Sequence, residues 1–413
     1  MSGWPSIELA SAARVLRGVS FGAADATPDQ RPGSIACLTT AAVKAEPQWG
    51  TARYVPSSLV KDEQLLRPGD ILVSTSNSAE TVGRSCLISS VPEIATFGAF
   101  VTVARPDPDV LDPRFLAAWM RSRTYQAAID RLKTRTTNIS NLRSSDLGRL
   151  RVPLPPLDEQ RRIAARLREQ LSEVARLQMS IASRIDSARV TAEALVEAAF
   201  RAQSPGVTLT GVGAVATIQT GYAFKSSWFR PNGVRLLRNA NVLPDEVDWS
   251  DTARLDPTLE GSFPAYALAP GDIILALDRP VIAAGLKVAR LGEQDTPSLL
   301  LQRVARLRPG PKIDADYLYA FMHTQRFRSA MSGHSQSLGV PHVSPRQVAS
   351  VPIPLPPLDE QRQIAARLRE QLAETDRATA ALDAQRAAID ALPAALLREV
   401  FGPAAGALPI AAV

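Results

Sequence analysis

Two stretches of this chain keep apolar residues on one helical face for far longer than one globular helix needs. The first, behind Pro153, Pro155 and Pro156, runs Ile163, Leu167, Leu171, Val174, Leu177, Ile181, Ile185, Ala188, Ala192, Leu195 and Ala199. Its mean spacing of about 3.6 keeps one face apolar. No Pro or Gly interrupts it before Pro205, so it predicts a helix of about 45 residues, roughly 65 Å long. Asp158 and Glu159 stand where a helix N-terminus favours negative charge. The second stretch runs Ile364, Leu368, Leu372, Ala378, Leu382, Ile389, Leu392, Leu396 and Val400, with Pro393 expected to kink or break it. Helices this long with one apolar face need a partner. Each is the natural partner of the other, paired antiparallel because a globular segment separates them.

The segments in front of the two stretches read as mixed α/β. Pro-Gly-Asp turns at 68–70 and 270–272 feed the β-rich runs "ILVS" and "IILAL". Helices are predicted near 112–132 and near 314–331, where Phe115, Leu116, Trp119 and Met120, and then Tyr317, Leu318, Phe321 and Met322, recur at helical spacing. These aromatics are read as core. "GVGAVA" at 211–216 is read as a turn leading into the next element, not as a dinucleotide loop.

These elements belong to a duplication. "PLPPLDEQRRIAARLREQL" at 153–171 returns as "PLPPLDEQRQIAARLREQL" at 354–372, with only Arg162 against Gln363 differing. "LRPGDILVS" at 66–74 answers "LAPGDIILA" at 268–276, and "FLAAWM" at 115–120 answers "YLYAFM" at 317–322. Near the starts of the halves, "IELASAARVLRGVSF" is similar to "VTLTGVGAVATIQTGYAF" once a small gap is allowed.

The twofold "PLPPLDEQ" followed by "IAARL", behind two divergent α/β segments, resembles the specificity subunit of type I DNA restriction–modification systems, over essentially the whole chain. The resemblance implies an α+β chain with two target recognition domains in tandem, at 1–152 and 205–353. Each would read one half of a split DNA target. The proline hinges and long helices at 153–204 and 354–402 would form an antiparallel coiled coil between them, followed by a tail at 403–413. The same helices would dock two methyltransferase subunits, restriction subunits could join, and the subunit itself would catalyse nothing.

Composition agrees with a polyanionic partner. The net charge is +6 and the pI about 9.6, and residues 121–151 hold eight basic and two acidic side chains. Cys37 and Cys86 form neither a disulfide framework nor a metal spacing. No apolar run reaches a membrane span and the N-terminus lacks a signal-peptide core, so a cytoplasmic protein is expected. No nucleotide, metal or adenine-methylation motif is present, and neither cofactor nor metal is expected.

Reading a duplex takes phosphate anchors and base-edge readers, Arg and Lys for the first, Arg, Asn and Gln for the second. In the first half the candidates are Thr75, Ser76, Asn77 and Arg84, then Lys133, Arg135, Thr136, Thr137, Asn138 and Asn141 of "RLKTRTTNISNLR". The latter loop resembles the family's polar loop behind the recognition-domain helix. In the second half "GHSQSLGVPH" lies at the equivalent place, with His334, Ser335, Gln336 and His342. Lys225, Arg238, Asn239, Asn241 and Arg279 are further candidates. The competing function is a coiled-coil scaffold whose α/β domains bind protein.

Overall fold

The computed structural model describes residues 4–78, 80–135, 140–201, 207–332 and 342–402. The chain divides into two units, Met1–Ala182 with Ala384–Val413, and Ser183–Asp383. The two predicted long helices are present as Leu157–Arg201 and Leu358–Phe401, and each unit contains a stretch of both.

In the first unit the order is β1 (Ser6–Glu8), β2 (Ala13–Arg17), β3 (Ser34–Leu38), β4 (Arg53–Pro56), β5 (Ile71–Ser74), β6 (Ser76–Asn77), β7 (Ser85–Leu87), β8 (Ala95–Phe97), β9 (Val101–Pro106), α1 (Pro113–Trp119), α2 (Arg123–Leu132), β10 (Thr134–Arg135), β11 (Ser140–Asn141), α3 (Ser144–Gly148) and β12 (Arg151–Pro153). The main sheet is antiparallel in the order β2-β9-β5-β7. A second sheet runs β4-β3-β8, and β1 pairs with β12 across most of the segment. All four residues of β5 are buried. Ile71 and Val73 enter a core with Phe115, Leu116, Trp119, Tyr125 and Ile129, while Leu72 enters another with Leu38, Phe97 and Val103. Strand alternation demands this split.

The Pro-Gly-Asp turn sets that strand. Gly69 has φ +97°, a left-handed conformation that costs glycine little. Asp70, 1% exposed, accepts from Arg67 N at 2.8 Å and from Arg105 Nε and Nη2 on β9 at 2.7 and 2.8 Å. The buried carboxylate is thus paired bidentately as well as hydrogen-bonded, which is what keeps such a charge tolerable inside a protein.

The first unit closes on the long helices. Ile163, Ala164 and Leu167 of the first and Leu397 and Phe401 of the second join the core with Phe115 and Trp119. The Phe401 ring lies 5.4 Å from that of Phe115, edge to face, and its carbonyl accepts from Thr124 Oγ1 at 2.6 Å. Arg166 pairs with Glu399 at 3.3 Å, and Gln178 Nε2 donates to Asp390 at 2.7 Å. As one number rises the other falls, so the helices pack antiparallel.

The second unit repeats the plan with β13 (Thr208–Gly211), α4 (Val212–Val215), β14 (Ala216–Thr220), β15 (Arg235–Leu237), β16 (Ala253–Arg254), β17 (Ile273–Ala276), β18 (Val281–Ile282), β19 (Gly285–Leu286), β20 (Val288–Arg290), β21 (Ser298–Leu300), β22 (Val304–Pro309), α5 (Ala315–Met322), α6 (Gln325–Met331), α7 (Pro345–Ser350) and β23 (Pro352–Leu355). Its main sheet, β14-β22-β17-β20, has the order of the first, and β13 pairs with β23 as β1 does with β12. Gly271 is left-handed at φ +87°, and Asp272 takes Arg308 Nε and Nη2 at 2.6 and 3.0 Å. Phe200 of the first long helix lies 4.9 Å from the Tyr317 ring and 5.6 Å from that of Phe321, in the role Phe401 plays in the first unit. "GVGAVA" is the end of β13 followed by the single turn of α4.

Two expectations need correction, and of the two alternatives for Pro393 a break is excluded. The helix near 112–132 is two, α1 and α2, because Ser122 accepts from Tyr125 N at 3.2 Å and caps a new start. The helix near 314–331 is likewise α5 and α6, with Thr324 capping Phe327 N at 3.3 Å. Pro393 does not end the second long helix, which continues from Leu358 to Phe401 around it. The apolar stripes are also imperfect: Leu177 and Leu392 are 40% and 39% exposed, while Val196 is buried. Among the described residues no helix is long and apolar enough to cross a membrane.

Candidate nucleic-acid interface

In the first unit, β5 runs out of the main sheet into the segment Thr75–Asn77. Thr75 N donates to Phe100 O at 2.9 Å, and Leu142 N donates to Thr75 O at 2.8 Å. Beyond that clamp, Ser76 pairs with Asn141 and Asn77 with Ser140, and β11 pairs on its other side with β10. A three-stranded ribbon, β10-β11-β6, thereby gathers two loops predicted separately from sequence. Arg84 is exposed at its edge, where its carbonyl accepts from Ser74 N at 2.9 Å. Gly83, at φ +87°, is held by the buried Tyr125 hydroxyl donating to its carbonyl at 2.9 Å.

The second unit builds the same frame. Leu277 N donates to Arg303 O at 2.9 Å, and Val343 N donates to Leu277 O at 2.8 Å. Asp278 bridges to His342 as Ser76 does to Asn141. Ala276 N donates to Lys287 O at 3.0 Å, the counterpart of Ser74 with Arg84. The side chains on this frame are unlike those of the first unit. His342 Nδ1 lies 2.6 Å from Asp278 Oδ1, and Arg303 Nη1 lies 3.7 Å from that oxygen. Arg279 is exposed with φ +45°.

The candidates divide accordingly. Ser76, Asn77, Arg84, Asn141, Arg279 and His342 sit on the two frames and are at least partly exposed. The backbone of Arg135 lies in β10. Thr136, Thr137, Asn138, His334, Ser335 and Gln336 lie outside the described residues. Lys225 is exposed, 5.4 Å above the Trp228 ring.

Others are occupied by the fold itself. Thr75 is buried and acts through its backbone. Asn241, 2% exposed, donates to the carbonyls of Asp248 and Asp251 at 2.8 and 2.9 Å and accepts from Arg238 N at 3.1 Å. Arg238 in turn pairs with Asp251 at 3.0 Å. Asn239 accepts from Asp278 N through its side chain and from Lys287 Nζ through its carbonyl, and thereby ties its loop to the second frame. The Lys133 side chain is 7% exposed and paired with Asp130. Amide and guanidinium groups such as those of Asn241 and Arg238 satisfy buried backbone groups as readily as they meet DNA.

Sequence reasoning missed Phe100, Arg303, Asp278 and Lys287. Burial holds the Lys287 ammonium below the usual lysine range, partly offset by the Asp278 charge. Asp278 was accessible by aligning the two Pro-Gly-Asp turns, which sets it against Ser76. Phe100 and Arg303 follow turns whose sequences are unlike, and only the hydrogen bonds reveal them. Cys37 and Cys86 are buried away from the frames, and burial pushes both thiols up to about 12, so both stay protonated.

Comparison with known proteins gives this arrangement a family. The family model for the type I restriction modification DNA specificity domain matches residues 38–178 and again 208–384. The specificity subunit of the type I restriction enzyme EcoAI of Escherichia coli is 36% identical over 160 residues, 38% of this chain and 27% of that one. The specificity subunit of the type I restriction enzyme MjaVIII of Methanocaldococcus jannaschii is 28% identical over 253 residues, 57% of this chain and 59% of its own. The matched region therefore spans less than two thirds of either relative. A solved chain from a study of complex assembly and conformational transition of the type I R-M system superposes with a TM-score of 0.76 at 19% identity, covering 97% of this chain and 98% of that one. At that identity the likeness concerns the fold. With two copies of the domain covering most of its length, the chain belongs to the type I restriction–modification DNA specificity family.

Proposed function

We propose that this chain reads a split double-stranded DNA target for a type I restriction–modification complex, one half-site per α/β domain, with domains at 1–152 and 205–353. The observation that carries the reading is the repeated frame. Backbone hydrogen bonds at Thr75 and at Leu277 present two strand ends in the same way, while the displayed side chains differ: Ser76, Asn77 and Asn141 against Asp278, Arg279 and His342. A common scaffold with unlike polar readers suits two unlike half-sites, because base-edge contacts carry sequence and backbone contacts only position. The hinges and helices at 153–204 and 354–402 set the separation of the half-sites and dock methyltransferase subunits, two of them given the twofold repeat. Restriction subunits join that core, residues 403–413 are a tail, and the chain contributes recognition without catalysis.

Genome-wide modification mapping in a host carrying this chain with its methyltransferase subunit tests the reading. The expected result is one split motif with an unread spacer. A contiguous motif, or modification indifferent to this chain, would leave the scaffold reading standing instead.

A further inference from the structure

Phe100 and Arg303 occupy the same place in the two units. Each closes a turn leading into the second strand in the order of its main sheet, β9 or β22, and each offers its carbonyl to the residue that begins the frame, Thr75 or Leu277. The turns match in detail. Gly98 at the first is bridged to Val19, and Leu301 at the second is bridged to Tyr222. Gly18 and Gly221 permit those approaches: an added Cβ would lie 2.2 Å from Gly98 O in one and 2.1 Å from Leu301 O in the other.

What stands at this common position is not explained by packing. Phe100 is 64% exposed, although a phenyl ring gains most from burial. Arg303 holds φ +73°, a left-handed backbone that costs a residue with a Cβ. Its side chain is 55% exposed. Only Nη1 is engaged, 3.7 Å from Asp278 Oδ1, with His342 Nδ1 3.4 Å away and itself donating to that carboxylate. Nη2 and Nε have no partner among the described residues, so two donors of a planar fork stay available while the third nitrogen is steadied by Asp278 of the frame.

We infer that this position is a specificity determinant in both domains: Arg303 reads a guanine in one half-site, and Phe100 contacts the methyl group of a thymine in the other. The inference rests on the split-target reading above. The chemistry follows from the residues. A guanidinium can donate two hydrogen bonds to O6 and N7 of guanine, and an exposed apolar side chain beside polar readers distinguishes the C5-methyl of thymine. The left-handed backbone aims the arginine, and Asp278 and His342 limit its rotation, so less freedom is lost when it pairs.

The test uses the assembled complex with its methyltransferase subunit, comparing wild type with Arg303→Gly and Phe100→Ala by modification mapping and by modification rate on duplexes substituted at single positions. Glycine adopts the left-handed turn without strain, so Arg303→Gly removes the side chain and spares the fold. Phe100→Ala trims an exposed ring. Arg303→Gly is expected to relax one G·C position in a single half-site, its preference there falling roughly 5- to 140-fold, the discrimination of one bidentate pair. Phe100→Ala should relax one A·T position in the other half-site. Both variants writing the wild-type motif at wild-type rates overturns the inference, as does relaxation of the same half-site by both. If wild type itself writes no split motif, the failure belongs to the proposed function, and the two cases are told apart by the wild-type lane alone.

Discussion

The glutamine of the repeated "PLPPLDEQ" is fully buried in both copies. Gln160 Nε2 donates to the carbonyls of Val110 and Pro155 at 3.1 and 2.9 Å, and its Oε1 accepts from Asp112 N at 2.8 Å. Gln361 does the same with Lys312, Pro356 and Asp314, at 3.1, 2.8 and 2.8 Å. Asp112 and Asp314 are themselves the N-caps of α1 and α5. One side chain therefore ties the proline hinge, the loop before the domain's helix and the start of that helix. All six partners are backbone groups. Neighbouring residues can differ between the halves, as Val110 and Lys312 do, while the glutamine cannot. Leucine at 361 would fill similar space and leave the Asp314 N–H and two carbonyls without partners. A cost of about 1–3 kcal/mol attaches to each group that stays dry. Gln361→Leu should therefore speed hydrogen exchange over residues 312–322 and leave 110–120 unchanged. Unchanged exchange at 312–322 would mean that water replaces the side chain.

At the scale of elements, each unit borrows the far end of a long helix. Phe401, 6% exposed, closes the core of the first unit on Phe115, although the chain reaches it only after the whole second half has been made. Truncating a buried phenylalanine costs about 3–5 kcal/mol through lost transfer and the cavity left behind. Phe401→Ala is expected to lower the melting of the first unit selectively, with exchange rising over 113–132. A uniform loss over both units would show instead that the helix end stabilises the pair of rods and not the domain core. The long helices were legible because an apolar face of helical period recurs over some ten turns, and the core aromatics of α1 and α5 because they recur at three and four. The breaks at Ser122 and Thr324 were not, since a single hydroxyl decides them. Most strands are two to six residues long and pair at long range, as Ser6 does with Pro153, so local pattern could not order the sheets. The same limit applies to the interface. Polar loops were visible, but Asn241 and Asn141 look alike in sequence, and only tertiary burial separates the one that braces from the one on the ribbon.

At the scale of the whole molecule, the proposal makes the paired helices a measure of DNA. Residues 184–190 of the first long helix and 375–381 of the second belong to the same unit. None of these residues is buried, so both segments can be removed together with little cost to the cores. Seven residues are close to two turns, so the apolar faces return to the same side. The loss of about 10 Å from each rod matches the rise of roughly three base pairs at ~3.4 Å each. Three base pairs also rotate a duplex by about 100°, given 10–10.5 base pairs per turn, so modification should slow even where it persists. The matched deletion is therefore expected to write the same two half-sites with a shorter spacer, at reduced efficiency. A deletion in one helix alone should shift the facing residues out of register and reduce stability without defining a new spacer. Retention of the original spacer by the matched deletion would show that the separation is fixed elsewhere, by the domains or by the docked methyltransferase subunits.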